Sequence, residues 1–127
     1  MNNFNHLIQQ LVLFGLPQAI AQEFCAFLQK CGLTDEDIEK LNKYSLKWAW
    51  LLTLEIFFKG FIIPDYVYNV LRASTIEVKE PDLFLSMQGF LNNPTYNKAI
   101  ELRNKINDGI PKNILKDLCD IIHKFSK

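Results

Sequence analysis

The chain has 127 residues, 49% of them hydrophobic, and its 14 basic residues balance its 14 acidic residues. Such a chain has neither the low hydrophobicity nor the high net charge of a disordered protein. It also lacks the basic excess of a general nucleic-acid binder, whose affinity depends on phosphate contacts. This length predicts one domain over residues 1–127, with enough apolar surface to form a core without disulfides or metal.

The first 22 residues contain no Asp, Glu, Lys or Arg, and they predict a helix over 3–14. The stretch has some likeness to a signal peptide, but it has no basic residue at its start, and Gln9 and Gln10 interrupt its apolar run. Three cysteines without CxxC spacing are typical of a reducing compartment. We therefore expect a cytoplasmic protein with no disulfide.

Glycine and proline divide the rest of the chain at helical intervals. Gly15, Gly32 and Gly60 predict helix ends, while Pro17, Pro64 and Pro81 predict helix starts. Helices are predicted over 17–31, 34–44, 46–59, 64–74, 81–91, 95–107 and 111–125, with the second and third of these either separate or continuous at Ser45. The "STIEVKEPD" stretch is predicted to be a loop. The fold class is therefore all-α, a compact bundle of about seven or eight short antiparallel helices.

The segment 46–63, "LKWAWLLTLEIFFKGFII", is apolar enough to suggest a membrane span. A span needs about 20 mostly apolar residues, yet Lys47, Glu55 and Lys59 interrupt this one. At 100° per residue these three charges fall on one stripe, and Trp50 falls outside it. The pattern predicts a buried central helix of a protein that does not interact with a membrane.

A weak period of 30 residues relates Pro64 to Pro94 and Pro81 to Pro111. Stacked helical hairpins would produce such a period. Chance matches in a bundle of short helices would produce it equally, and both interpretations stay open here.

The sequence contains no motif for catalysis, a metal or a cofactor, and none is predicted. We interpret the two histidines, His6 and His123, as surface residues. We interpret the three cysteines as small core residues: Cys25, Cys31 and Cys119. No motif supports a catalytic pair of Cys25 and His123. Such a pair would nevertheless be the basis of a third hypothesis, an enzyme that uses a cysteine.

The one acidic cluster is "DEDIE", with Asp35, Glu36, Asp37 and Glu39. Following Thr34, a strong N-cap residue, these carboxylates favour the positive end of a helix. They are also our candidate partner-binding residues, since they could steer a basic protein. Two other stretches suit an interface: the uncharged N-terminal hairpin and the aromatic residues Trp48, Trp50, Tyr66, Tyr68 and Tyr96. The polar face of the hairpin fits a solvated surface at least as well, and most of the aromatic residues fit the core.

Small cofactor-free chains of this kind favour non-enzymatic protein binding. The specific hypothesis is a bacterial or phage inhibitor or immunity protein that blocks a toxin or defence enzyme by occlusion. The alternative is a nucleic-acid-associated regulator that uses the mildly basic C-terminal helices, where residues 98–127 hold seven Lys or Arg and four Asp or Glu.

Overall fold

A computed structural model describes residues 3–41 and 46–123, with all their side chains except those of residues 114, 118 and 122. The described residues contain eight α-helices and no strand, which confirms the all-α prediction. A single 3-10 turn, Thr75–Glu77, lies in the predicted loop. The helices are α1 Asn3–Leu13, α2 Gln18–Lys30, α3 Asp35–Leu41, α4 Lys47–Phe58, α5 Asp65–Ser74, α6 Pro81–Asn92, α7 Tyr96–Asp108 and α8 Lys112–Ile122.

The helix ends lie where glycine and proline predict them. Pro17 and Pro64 immediately precede α2 and α5, and Pro81 is the first residue of α6. Gly15, Gly32 and Gly60 have φ of +98°, +96° and +80°, a region that disfavours other residues. The predicted extension of α3 to Tyr44, its junction with α4 at Ser45 and the end of α8 at Phe125 lie outside the described residues.

α4 is the central helix. It packs against α5, α7 and α8, and eight of its twelve residues are buried. Lys47 and Glu55 are half-buried and Lys59 is exposed, so the charged stripe faces the surface as predicted. Trp50 is fully buried, and its indole Nε1 donates a 2.8 Å hydrogen bond to Ser74 Oγ. Among the described helices none is long and apolar enough to cross a membrane.

The packing follows a bundle around α4 more closely than a stack of repeated hairpins. The 30-residue period superimposes α5 and α6 on α7 and α8. However, α6 packs chiefly on α7, and α7 packs on α4. The N-terminal part is organised separately, with α1 against both α2 and α3, and α2 against α5.

Candidate functional site

The four acidic candidates of α3 have different environments. Asp37 is buried, and its Oδ2 accepts a 2.9 Å hydrogen bond from the Thr34 backbone N–H, while its own N–H donates to Thr34 Oγ1 at 3.2 Å. This reciprocal pair is a capping box that holds the start of the helix. Thr34 is therefore the N-cap that the sequence predicts.

Asp35 joins the starts of α3 and α1. Its Oδ1 accepts from the Asn3 backbone N–H at 2.7 Å, and its Oδ2 accepts from Asn3 Nδ2 at 2.9 Å. Glu36 and Glu39 are exposed. A partner could therefore reach Glu36 and Glu39 freely, whereas Asp37 serves the fold, and the steering role of the cluster stays a prediction.

The acidic surface of α3 continues onto α8. A cleft of about 180 Å³ is lined by Asp37 and Lys40 from α3 and by Asp117, Asp120 and Ile121 from α8. α8 thus presents carboxylates as well as the exposed Lys112 and Lys116. A mixed surface of this kind is a poor match for a phosphate backbone, and Lys124 and Lys127 lie outside the described residues.

The described cysteines are all free thiols. Burial raises the pKa of Cys25 to about 12, and its Sγ lies 3.8 Å from the carbonyl oxygen of Phe4. Cys119 is exposed, and the pKa of its thiol is raised by partial desolvation and then by the carboxylates of Asp120 and Glu55. A raised pKa keeps a thiol protonated, which is the opposite of what a nucleophilic cysteine needs.

Neither histidine is hydrogen-bonded to Cys25 in the part of the chain that the structure describes. His6 is exposed on α1, and His123 lines a cleft beside α8. Cys25 lies on α2, and its Sγ contacts the Phe4 carbonyl of α1. The described hydrogen bonds therefore do not include the Cys25–His123 pair considered from the sequence. In the part of the chain that the structure describes, no three His, Cys, Asp or Glu side chains are grouped to hold a metal ion.

The cleft at His123 lies between α4, α7 and α8 and has a volume of about 100 Å³. Each helix contributes lining residues that are four positions apart in the sequence, and such residues lie on one face of a helix. The lining residues are Leu51 and Glu55 of α4, Arg103 and Asn107 of α7, Leu115 and Cys119 of α8, and His123, which caps the end of α8. The sequence analysis did not bring these residues together.

Three helices end in the same local motif. After each glycine with positive φ, the next backbone N–H donates to the carbonyl five residues earlier: Leu16 to Leu11, Leu33 to Leu28, and Phe61 to Ile56, at 3.3, 3.1 and 3.4 Å. In this Schellman motif the residue after the glycine usually makes an apolar contact with its own helix. The three motifs therefore allow a direct comparison of one structural position.

The third motif differs in burial. Leu16 and Leu33 are 8% and 4% exposed, whereas Phe61 is 65% exposed and the following Ile62 is 94% exposed. We call Phe61 and Ile62 the apolar tip. Ile63 turns back into the core, so the chain returns to the interior immediately afterwards. The apolar run "FII" after Gly60 is the only sequence signal for this tip, and the sequence analysis did not use it.

Phe58, which precedes the apolar tip along the chain, belongs to an aromatic cluster. Phe58 lies three residues before Phe61, so their Cα atoms are at most about 11 Å apart. The Phe58 ring makes an edge contact with the exposed Tyr96, with centroids 5.5 Å apart, and the Arg103 guanidinium lies 4.7 Å above it. Of the five aromatic residues singled out from the sequence, Tyr96 is thus the exposed one; both tryptophans are buried, and Tyr66 and Tyr68 are half-buried.

Comparisons with known proteins add no family to this description. No protein-family model, no curated protein and no solved structure matches the chain.

Proposed function

We propose that this chain is a non-enzymatic protein-binding module that contacts its partner through the apolar tip and the exposed Tyr96. The exposure of Phe61 and Ile62 carries the proposal. Two other copies of the same helix-ending motif bury the residue after the glycine, so the motif itself does not force exposure.

The proposal has an energetic basis. Fully burying a Phe or Ile side chain contributes about 1.5–3 kcal/mol of favourable free energy. In the isolated chain most of this contribution is missing at Phe61 and Ile62, because both side chains are exposed. A partner with an apolar pocket would recover it. Tyr is enriched at the centres of interfaces, and the exposed Tyr96 contacts Phe58.

The specific form of the proposal is an inhibitor, for example a bacterial or phage immunity protein, that occludes a toxin or a defence enzyme. The size of the chain and the lack of a catalytic motif support this form. The exposed Glu36 and Glu39 add a test of it: if they steer a basic partner, reversing their charge should slow association, and the effect should shrink as salt rises.

The main experiment compares two double variants in a partner capture from the native host. Phe61→Ser/Ile62→Ser removes the tip, and Leu13→Ser/Leu85→Ser removes two apolar residues that are 87% and 68% exposed elsewhere on the surface. Proteins that bind the wild type are identified, purified and titrated by calorimetry. We expect the tip variant to raise Kd at least about 30-fold, since a loss of about 2 kcal/mol or more marks a central contact.

The control variant should bind within about threefold of wild type, because exposed residues outside an interface contribute little. Circular dichroism of all variants separates lost binding from lost folding. Equal affinity of the tip variant and the wild type would reject the tip as the contact. If a single substitution of His6 or Cys25 in a folded protein abolished function, a catalytic protein would replace the binding module.

A further inference from the structure

We infer that the cleft between α4, α7 and α8 binds a small zwitterion, an α-amino acid with a short side chain, through Glu55 and Arg103. This site is separate from the apolar tip and does not depend on the proposed protein partner. It follows from polar groups that converge on one small cleft and that have no ion-pair or side-chain hydrogen-bond partner among the described residues.

The polar side chains of the cleft lack protein partners within the described residues. Glu55 makes no ion pair or side-chain hydrogen bond there, and Arg103 makes only its contact with the Phe58 ring. By contrast, Lys105, two residues after Arg103 on α7, is paired with carboxylates. Its Nζ lies 3.1 Å from carboxylate oxygens of both Asp82 and Glu101. Among the described residues Arg103 has no carboxylate partner, although Lys105 on the same helix has two.

Opposite charges line the cleft without meeting. Glu55 and Arg103 both face the same volume of about 100 Å³, yet no ion pair within 4.0 Å joins them. A ligand that carries an ammonium group and a carboxylate would pair with both side chains. The guanidinium offers two parallel N–H donors to a carboxylate, a geometry that an ammonium group cannot match.

The remaining residues define the size and nature of the ligand. A volume of about 100 Å³ is several times the roughly 10–15 Å³ that one water molecule needs, so the cleft can hold a small ligand. Glycine and alanine are the smallest α-amino acids that carry both an ammonium group and a carboxylate. Leu51 and Leu115 supply an apolar wall for a methyl group, and Asn107 supplies both a donor and an acceptor.

The test is an NMR titration of the full chain, labelled with ¹⁵N, against alanine, propionate and ethylamine. Propionate lacks the ammonium group and ethylamine lacks the carboxylate, and both keep a similar size. We expect alanine to shift the amide signals of 51–55, 103–107 and 115–123 with a Kd of about 1 mM, as suits so few atoms. Propionate and ethylamine should each bind at least about tenfold more weakly, because each leaves one charge of the cleft unpaired.

Charge-removing variants locate the binding. Glu55→Gln and Arg103→Gln should each weaken alanine binding about tenfold or more. Glu36→Gln and Arg72→Gln are matched controls that should leave it unchanged; Arg72 is the other arginine of the chain, and it donates to Asn69 Oδ1 at 3.2 Å. Arg103→Lys keeps a cation beside Phe58 and should retain weak binding, which guards against a folding defect in Arg103→Gln.

Three results would overturn the inference. The first is the absence of any shift with alanine at tens of millimolar. The second is propionate binding as tight as that of alanine, which would make the site a simple anion site. A double-mutant cycle in urea could instead show that Glu55 and Arg103 stabilise each other in the free protein, which would mean that they pair directly. Phe61→Ser/Ile62→Ser should leave the titration unchanged, so failure of this site and failure of the proposed partner contact are distinguishable.

Discussion

Replacing Trp50 with alanine removes an indole from the centre of the fold. The ring is fully buried and packs edge-on against Phe90, with centroids 6.2 Å apart. Truncating a buried aromatic residue costs about 3–5 kcal/mol. Lys47→Ala, one turn earlier on α4, removes only a partly exposed ion pair with Glu80 at 3.5 Å, and such pairs contribute about 0–1 kcal/mol. We therefore expect a difference of about 3 kcal/mol in the free energy of unfolding.

The indole N–H adds a second, separable effect. Trp50 Nε1 donates to Ser74 Oγ at 2.8 Å, and the Ser74 hydroxyl donates to the Leu71 carbonyl at 2.7 Å. Trp50→Phe leaves the serine without its donor, and Ser74→Ala leaves the indole N–H unpaired. Each change should lower the free energy of unfolding by about 1–3 kcal/mol. The double variant removes both partners, so it should be less destabilising than the sum by roughly 1 kcal/mol.

The measurement is urea unfolding followed by far-UV circular dichroism at one pH and salt concentration. If the midpoints of Trp50→Ala and Lys47→Ala were equal, the rotation of α4 described above would be wrong. Strict additivity of Trp50→Phe and Ser74→Ala would show that the two side chains do not interact.

Two further predictions concern local structure. Asp37→Ala should destabilise the fold by about 1 kcal/mol because it breaks the capping box, whereas the neighbouring Glu36→Ala should stay within about 0.5 kcal/mol; equal thermal unfolding curves for the two variants would contradict the cap. Iodoacetamide should modify Cys119 in the native protein and reach Cys25 only in denaturant, since Cys25 is buried with a pKa of about 12. Peptide mass mapping checks this, and equal rates at both thiols would refute the burial of Cys25.

The helix boundaries were predictable because their signals are local. A glycine with positive φ and a proline at a helix start act through backbone geometry within one turn. The rotation of α4 was predictable for a related reason: Lys47, Glu55 and Lys59 must reach water, and their spacing along a helix places them on one side. The same holds for Thr34, whose capping role depends only on residues of its own first turn.

The exposure of the apolar tip was decided by tertiary structure. Leu16, Leu33 and Phe61 occupy the same position in the same motif, so the motif does not decide which of them is buried. Burial depends on which other helices cover a position, and that depends on contacts between distant parts of the chain. The cleft that unites Glu55 with Arg103, and the hydrogen bonds that tie Asp35 to Asn3, depend on tertiary contacts for the same reason.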